Sequence, residues 1–193
     1  MGVIEKLRKR PIEGAKVLAT WAVALAFALL ATPTRLSLAA GLPIVVLGLT
    51  IRAWAAGHLV RNEQLATSGP YAYLRDPLYL GRLFLIVGFG VIGHNWPCYA
   101  LMALGLGVFF LNYMPRKLRK ETQRLERAFG PAYVNYRRQV RSLIPRLSPY
   151  PERSRKRWEW RLYWQVNREQ LLGLAVAVLV ALMLVKPWLG IGW

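Results

Sequence analysis

Gly69-Pro70-Tyr71-Ala72-Tyr73-Leu74-Arg75-Asp76-Pro77-Leu78-Tyr79-Leu80-Gly81 stands between two hydrophobic runs, and its reading decides the fold. Ser68-Gly69-Pro70 is a turn signal. Asp76 falls at a helix N-cap position and Pro77 at the first helical position, where proline's missing N–H would be unpaired anyway. The stretch therefore closes a polar connection and opens a helix that continues through apolar sequence to about Ile92. Arg82, in the second turn, is close enough to the helix start either to reach an interface or to face a wet cavity.

The composition around this stretch points to a membrane. The chain has 193 residues, 55% of them hydrophobic, with a formal net charge of +18. Its mean hydropathy is +0.26. Soluble domains do not combine these features, whereas apolar spans separated by basic loops do. A single cysteine, Cys98, excludes an internal disulfide and a cysteine-based zinc site. His58 and His94 are the only imidazoles, so no metal centre is expected. The N-terminus is basic and then apolar, but further apolar runs follow, which favours a retained first span over a cleaved leader.

About five spans are expected, near residues 17–32, 36–60, 77–92, 96–114 and 171–185, in an all-α polytopic fold of one domain covering 1–193. Lys6, Arg8, Lys9, Arg10 and Lys16 precede the first span. Pro43 either kinks the second span or marks its true first turn. Arg52 lies in that span's second half, where a charge must snorkel, pair or face a wet cavity. Gly93-His94-Asn95 is short enough to make spans three and four an antiparallel hairpin.

Residues 115–170 form a basic, non-spanning region. Leu118, Leu125, Phe129, Tyr133, Tyr136, Val140 and Leu143 recur at helical spacing, an amphipathic stripe interrupted at Gly130-Pro131. Trp158, Trp160, Tyr163 and Trp164 suit a headgroup interface, and Trp188 and Trp193 follow the last span. With five spans, the leader, the 61–76 connection and the 115–170 region share one side. By the positive-inside rule that side is cytoplasmic and the C-terminus lies opposite. Both polar stretches then lie on one membrane face. No internal repeat or low-complexity tract is visible.

Each polar candidate has a structural and a functional reading. Glu121 has Lys117 and Arg124 at helical spacing, which suffices for local pairing; alternatively it holds a cationic or hydroxyl-bearing ligand. Arg75 reaches lipid phosphates or binds an anion within a site. Asp76 is fully explained as a cap. Tyr71, Tyr73, Tyr79, Tyr133 and Tyr136 are interfacial aromatics, or they flank a flat ring and a sugar.

Two spaced patterns add information here. Gly-Pro-Tyr-x-Tyr-x-Arg-x-Pro-x-Tyr-Leu-Gly is followed, after the hairpin, by Glu121-Thr122-Gln123-Arg124-Leu125-Glu126-Arg127-Ala128-Phe129-Gly130-Pro131-Ala132-Tyr133-Val134-Asn135-Tyr136, and then by Val140-Arg141-Ser142-Leu143-Ile144-Pro145. This order resembles the isoprenylcysteine carboxyl methyltransferases, which group with phospholipid N-methyltransferases. The resemblance covers about Gly48 to Arg146. It implies an integral-membrane enzyme that uses S-adenosylmethionine without a Rossmann domain, and no glycine-rich Rossmann turn is present.

By the resemblance, Arg75, Pro77 and Tyr79 map to the first cofactor motif and Glu121 to the first acid of the second. Tyr133, Tyr136 and Arg141 fall on the segment that folds over the cofactor. Tyr71 and Asp76 join the cofactor candidates, Arg75 and Glu121 are the catalytic candidates, and Arg52 and His58 are the candidates for the acceptor. Two departures stand out. Asp76 replaces a usual histidine, and Thr122 replaces the second of two glutamates. The first keeps a cap and loses an imidazole; the second loses a carboxylate.

The expected reaction moves a methyl group from S-adenosylmethionine to a lipophilic acceptor, either the carboxylate of a prenylated or isoprenoid compound or a lipid amine. Two other readings fit the same sequence: a sterol-reductase-like enzyme using NADPH, and a non-enzymatic basic protein that gathers anionic lipid on the cytoplasmic side. Nucleic acid is not expected as a partner, because the charges lie where membrane orientation requires them. The oligomeric state stays open.

Overall fold

The computed structural model describes residues 11–60 and 63–186. Lys6, Arg8, Lys9, Arg10, Arg61, Trp188 and Trp193 lie outside the described residues. Among the described residues the chain is helical, with no strand. Six α-helices follow in order: α1 Pro11–Leu30, α2 Arg35–Ala56, α3 Pro77–Gly93, α4 Trp96–Val108, α5 Met114–Gln139 and α6 Glu169–Val185. A 3-10 turn, Gly69–Ala72, precedes α3; π-helical turns occupy Phe109–Tyr113 and Leu162–Val166.

The helix starts follow from local chemistry. At α2, Thr34 and Ser37 form a reciprocal capping box, each side chain accepting the other's backbone N–H. At α4, the Asn95 side chain accepts from the Cys98 N–H at 2.9 Å. Between α3 and α4, His94 adopts a left-handed φ of 51°, the geometry that closes the short hairpin. Pro43 lies within α2, which continues past it to Ala56. The second helix thus stops short of Val60, with Gly57 as its C-cap. The fourth apolar run does not stop at 114. The π turn carries it into α5, giving one helical run from Trp96 to Gln139. At Gly130, φ 52° and ψ −130° break the helix, a left-handed position that glycine accepts readily.

The helices gather two sets of ends. At one, the Thr32 N–H donates to the Gly93 carbonyl at 2.8 Å and Asn95 Nδ2 donates to the Leu30 carbonyl at 2.6 Å. Lys186 Nζ donates there to the carbonyls of Leu29 and Ala31. At the other end lie the C-terminus of α2 and the starts of α3, α5 and α6. Between them, Ala28, Val45, Leu85, Ile92, Cys98, Val176 and Met183 form a core drawn from α1, α2, α3, α4 and α6.

The closest packing joins α2 to α3. A Cβ added at Gly48 would lie 2.8 Å from the Gly81 carbonyl oxygen, and one at Gly41 would lie 2.8 Å from that of Gly88. Small residues facing one another let the two backbones touch, a device suited to helices in lipid. Large apolar side chains point outward instead, among them Trp21, Leu47, Leu104, Leu111, Leu174 and Val178. Arg35–Ala56 and Trp96–Gln139 are long and apolar enough to cross a membrane; Trp21–Leu30, Pro77–Gly93 and Glu169–Val185 are shorter apolar helices. In Arg35–Ala56 only 28% of the apolar window is buried, so it is not the core helix of a soluble domain.

Candidate active site

At the end of the bundle where α2 finishes and α3, α5 and α6 begin, a cavity of about 390 Å³ opens. Its position follows from how the segment after α5 binds the motif before α3. The backbone N–H of Arg75 donates to the Arg141 carbonyl at 2.9 Å, and that of Asp76 to the Ser142 carbonyl at 3.1 Å. The Arg146 N–H donates to the Tyr73 carbonyl at 2.9 Å and the Tyr150 N–H to that of Ala72 at 2.8 Å. The buried Tyr136 hydroxyl donates to the Tyr71 carbonyl at 2.8 Å. Beneath these bonds Tyr133, Tyr136, Val140 and Tyr150 pack with Leu65, Leu125 and Phe129. Much of the expected amphipathic stripe is therefore the inner face of this cap.

Arg75 and Glu121 line the same cavity. Glu121 Oε2 accepts from the Tyr79 hydroxyl at 2.6 Å, while Oε1 lies 4.0 Å from Lys117 Nζ. The local pairing expected on the helix surface is present, and the shorter bond reaches across to α3. Arg75 Nε lies 3.2 Å from Asp76 Oδ2, which also accepts from the Ser142 hydroxyl at 2.6 Å. Asp76 sits at the N-cap position of α3 but makes no side-chain cap bond. Its carboxylate is spent on Ser142 and Arg75 instead, which corrects the reading of Asp76 as a simple cap. Burial raises the Asp76 carboxyl above its ordinary value of 3.8, against the lowering effects of Ser142 and Arg75.

Arg52 also lines the cavity and does not snorkel away. Nε donates to Glu169 Oε2 at 3.0 Å, Nη2 to Oε1 at 2.7 Å, and Nη1 to the Leu78 carbonyl at 2.9 Å. Its stem passes over Gly81, where an added Cβ would meet Arg52 Cγ at 2.4 Å. Arg82 faces the cavity with its guanidinium 4.8 Å above the Tyr113 ring. Arg52, Arg75, Arg82, Lys117 and Arg124 thus meet Asp76, Glu121 and Glu169 around one space.

Of the other sequence candidates, Tyr71, Pro77, Tyr79 and Tyr136 line the cavity. Tyr133, Arg141 and His58 do not line it. Tyr133 is buried in the cap, its hydroxyl 3.4 Å from Thr122 Oγ1. The Arg141 side chain is exposed, and its link to the site is its backbone carbonyl. His58 is buried with Nδ1 3.0 Å from Ser68 Oγ and its ring against Gly69. It packs against the turn before the motif and is not among the lining residues. Gln64, Tyr113 and Glu169 are polar lining residues that sequence reasoning missed. Glu169 stands directly before the last apolar run, and an acid there is the one signal that could have marked it.

An all-helical bundle with an outward apolar surface and a charged cavity at one end defines a class of membrane-type proteins. The family model described as phospholipid methyltransferase matches residues 21–132, more than half of the chain. The chain belongs to the phospholipid methyltransferase family. It is 33% identical over 119 residues to the protein-S-isoprenylcysteine O-methyltransferase of Rattus norvegicus, covering 55% of this chain and 40% of that protein. It is 35% identical over 101 residues to the cobalt-zinc-cadmium resistance protein CzcN of Cupriavidus metallidurans, covering 51% of this chain and 44% of that protein. The protein-S-isoprenylcysteine O-methyltransferase B of Arabidopsis thaliana is 30% identical over 117 residues, covering 54% and 57%. The chain spans about half the length of the curated relatives it matches. No solved structure matches it. Among the described residues no group of three or more His, Cys, Asp or Glu side chains is placed to hold a metal ion.

Proposed function

We propose that this protein is a membrane methyltransferase that moves a methyl group from S-adenosylmethionine to a lipophilic acceptor. The observation that carries the reading is that Arg75 and Glu121, far apart in sequence, line one cavity, and that the segment after α5 bonds to the backbone of the motif that carries Arg75. We read α1, α2, α3, α4 with its π turn, and α6 as five spans, with the cavity and the N-terminus cytoplasmic and the C-terminus opposite.

The lining fits the cofactor. A volume of about 390 Å³ lies in the range of small-molecule sites. Guanidinium groups of Arg75 and Arg124 suit a carboxylate, Glu121 and Asp76 suit an ammonium group or sugar hydroxyls, and Tyr71, Tyr79 and Tyr113 suit a flat ring or a sulfonium. When bound, S-adenosylmethionine supplies an electrophilic methyl group for in-line displacement, a reaction that gains chiefly from alignment.

The protein's part is therefore to hold the site in place. Tyr79 and Lys117 hold the Glu121 carboxylate from two sides, so its negative charge is presented in one place. Arg75 is fixed through its own N–H and through Asp76. Tyr136 joins the tyrosine-rich cluster of residues 133–150 to the cavity wall.

The test is incubation of the purified protein with isotope-labelled methyl donor and a membrane lipid extract, followed by identification of the labelled lipid. Transfer to an acid or amine lipid supports the reading and names the acceptor. Absence of transfer together with saturable NADPH binding would favour the reductase reading instead.

A further inference from the structure

Residues 153–168 run from the cap to α6, and the family match of residues 21–132 ends before them. Several bonds fix this strap to the polar end of the bundle. The Ser154 N–H donates to Thr67 Oγ1 at 3.0 Å, and the Glu159 N–H donates to the Gly57 carbonyl at 2.9 Å. The Trp158 indole N–H donates to the Ala53 carbonyl at 3.1 Å, with its ring against Gly57. Further on, Asn167 Nδ2 donates to the carbonyls of Ala56 and Leu59 at 2.8 and 2.9 Å. The strap is thus a fixed surface along the last turn of α2.

Its charge is not balanced from within. Arg153, Arg155, Arg157, Arg161 and Arg168 are exposed, and among the described residues none of their guanidinium groups has a hydrogen bond or ion pair. The neighbouring acids are already committed. Glu152 accepts from Tyr150, Glu159 pairs with Lys156 at 3.0 Å, and Glu169 holds Arg52. A solvated basic face is the ordinary outcome of such a run. Here the run borders an aromatic cluster on the side of the bundle. Trp160 and Trp164 stack with centroids 5.6 Å apart, yet they remain 63% and 47% exposed. Tyr163, in contact with both, shares a small cleft with Leu49, Thr50 and Ala53 of α2. The cluster therefore lies level with the last two turns of α2, where Trp54 is also exposed.

We propose that residues 153–168 are a docking strap for anionic phospholipid, its arginines binding phosphate while Trp160 and Trp164 sit just below, among the glycerol groups. Arginine matches phosphate oxygens two at a time, and tryptophan prefers the headgroup level of a bilayer. Nucleic acid also offers phosphate, but beside an outward apolar flank the phosphate at hand is that of a lipid. The strap stands apart from the methyltransferase reading, since none of its arginines lines the cavity.

The experiment titrates the detergent-purified full chain with short-chain phosphatidylglycerol and phosphatidylcholine, and native mass spectrometry counts the bound lipid. The parent is compared with a strap variant carrying Arg153→Gln, Arg155→Gln, Arg157→Gln and Arg161→Gln. A control carries Arg116→Gln, Arg119→Gln, Lys120→Gln and Arg127→Gln on the exposed face of α5. Both variants lose the same charge, and melting temperatures show that each is folded. The parent is expected to prefer phosphatidylglycerol. Each cation near an anionic surface is worth roughly fivefold, so phosphatidylglycerol affinity should fall at least about twentyfold in the strap variant and less than about threefold in the control. Added salt should close the gap between parent and strap variant. Trp160→Ser with Trp164→Ser should weaken both lipids alike, because the rings sense depth and not headgroup charge. Equal losses in the strap and control variants would overturn the proposal, since the charge would then act as a diffuse field. Equal affinity of the parent for the two lipids would overturn it as well. Strap-dependent binding of a single-stranded oligonucleotide, tighter than that of phosphatidylglycerol, would assign the surface to nucleic acid and sink the lipid claim.

Discussion

The α2–α3 interface and the cap over the cavity join parts of the same molecule by opposite means. Along α2–α3, glycines bring two backbones into contact, and shape alone sets the fit. In the cap, backbone N–H groups of residues 75, 76, 146 and 150 find carbonyls far away in sequence, and tyrosines fill the space below. The first region has no room for an added methyl group unless the backbones shift; the second has several bonds, each replaceable at modest cost. The lesson is that the bundle fixes where the cavity lies, while the cap fixes which side chains enter it. Arg52 joins the two regions, since its stem crosses the glycine seam and its guanidinium closes the cavity wall.

The largest effect is expected where the regions meet. Glu169→Gln leaves the mostly buried Arg52 guanidinium without its carboxylate, and loss of one partner of such a pair costs about 3–5 kcal/mol. Replacing both by leucine should restore most of the stability, measured by denaturant titration in detergent, but not methyl transfer. If Glu169→Gln unfolds at the parent's midpoint, the pair does not hold α6 to α2.

Next comes the seam itself. Gly48→Ala forces a Cβ against the Gly81 carbonyl and Phe84, and overpacking of this kind costs about 1–3 kcal/mol. The melting temperature should fall by several degrees. Gly173→Ala, in open space, should hold or raise it. Equal melting shifts at the two glycines would erase the contrast between a packed seam and open space.

A smaller effect is expected in the cap. Tyr136→Phe removes one buried hydrogen bond to the Tyr71 carbonyl, worth about 1 kcal/mol, and the remaining bonds keep the cap in place. Hydrogen exchange should quicken at residues 140–150 while α2 and α3 stay protected. Uniform quickening would mean that cap and bundle open as one unit.

The smallest effect is in the pH response. The folded-state Asp76 carboxyl titrates above its ordinary 3.8, so the native state holds the proton more tightly than the unfolded chain. Its contribution is full below 3.8 and is lost as pH rises through the raised value. Melting temperature should therefore decline over that window, and Asp76→Asn should flatten the decline. A slope of the opposite sign would mean that the ionised form is the one favoured by folding.

Much of this architecture is legible in the sequence. Apolar runs define the helices, Pro77 marks where α3 begins, and Gly130 marks the break in α5. The order of the two motifs brings Arg75 and Glu121 into one argument, and the two line one cavity. What stays hidden is pairing across distance. Nothing in periodicity joins Arg52 to Glu169, separated by 117 positions, or tells Glu121 to prefer Tyr79 over its helix neighbours. Asp76 reads as a cap because cap position and cap bond look alike in sequence, and only the approach of Ser142 separates them. Tyr133, Arg141 and His58 have residue types suited to a site, but helix rotation and loop path turn them into cap, tether and turn.

The central claim is that two distant motifs share one cofactor cavity, and calorimetry tests it most directly. S-adenosylmethionine is titrated into detergent-purified parent, Arg75→Ala, Glu121→Ala and Arg141→Ala, each confirmed monodisperse. The account predicts one site in the parent, at least tenfold weaker binding in the first two variants, and affinity within about twofold of the parent for Arg141→Ala, whose exposed side chain does not line the cavity. Parent-like binding in both Arg75→Ala and Glu121→Ala would contradict it.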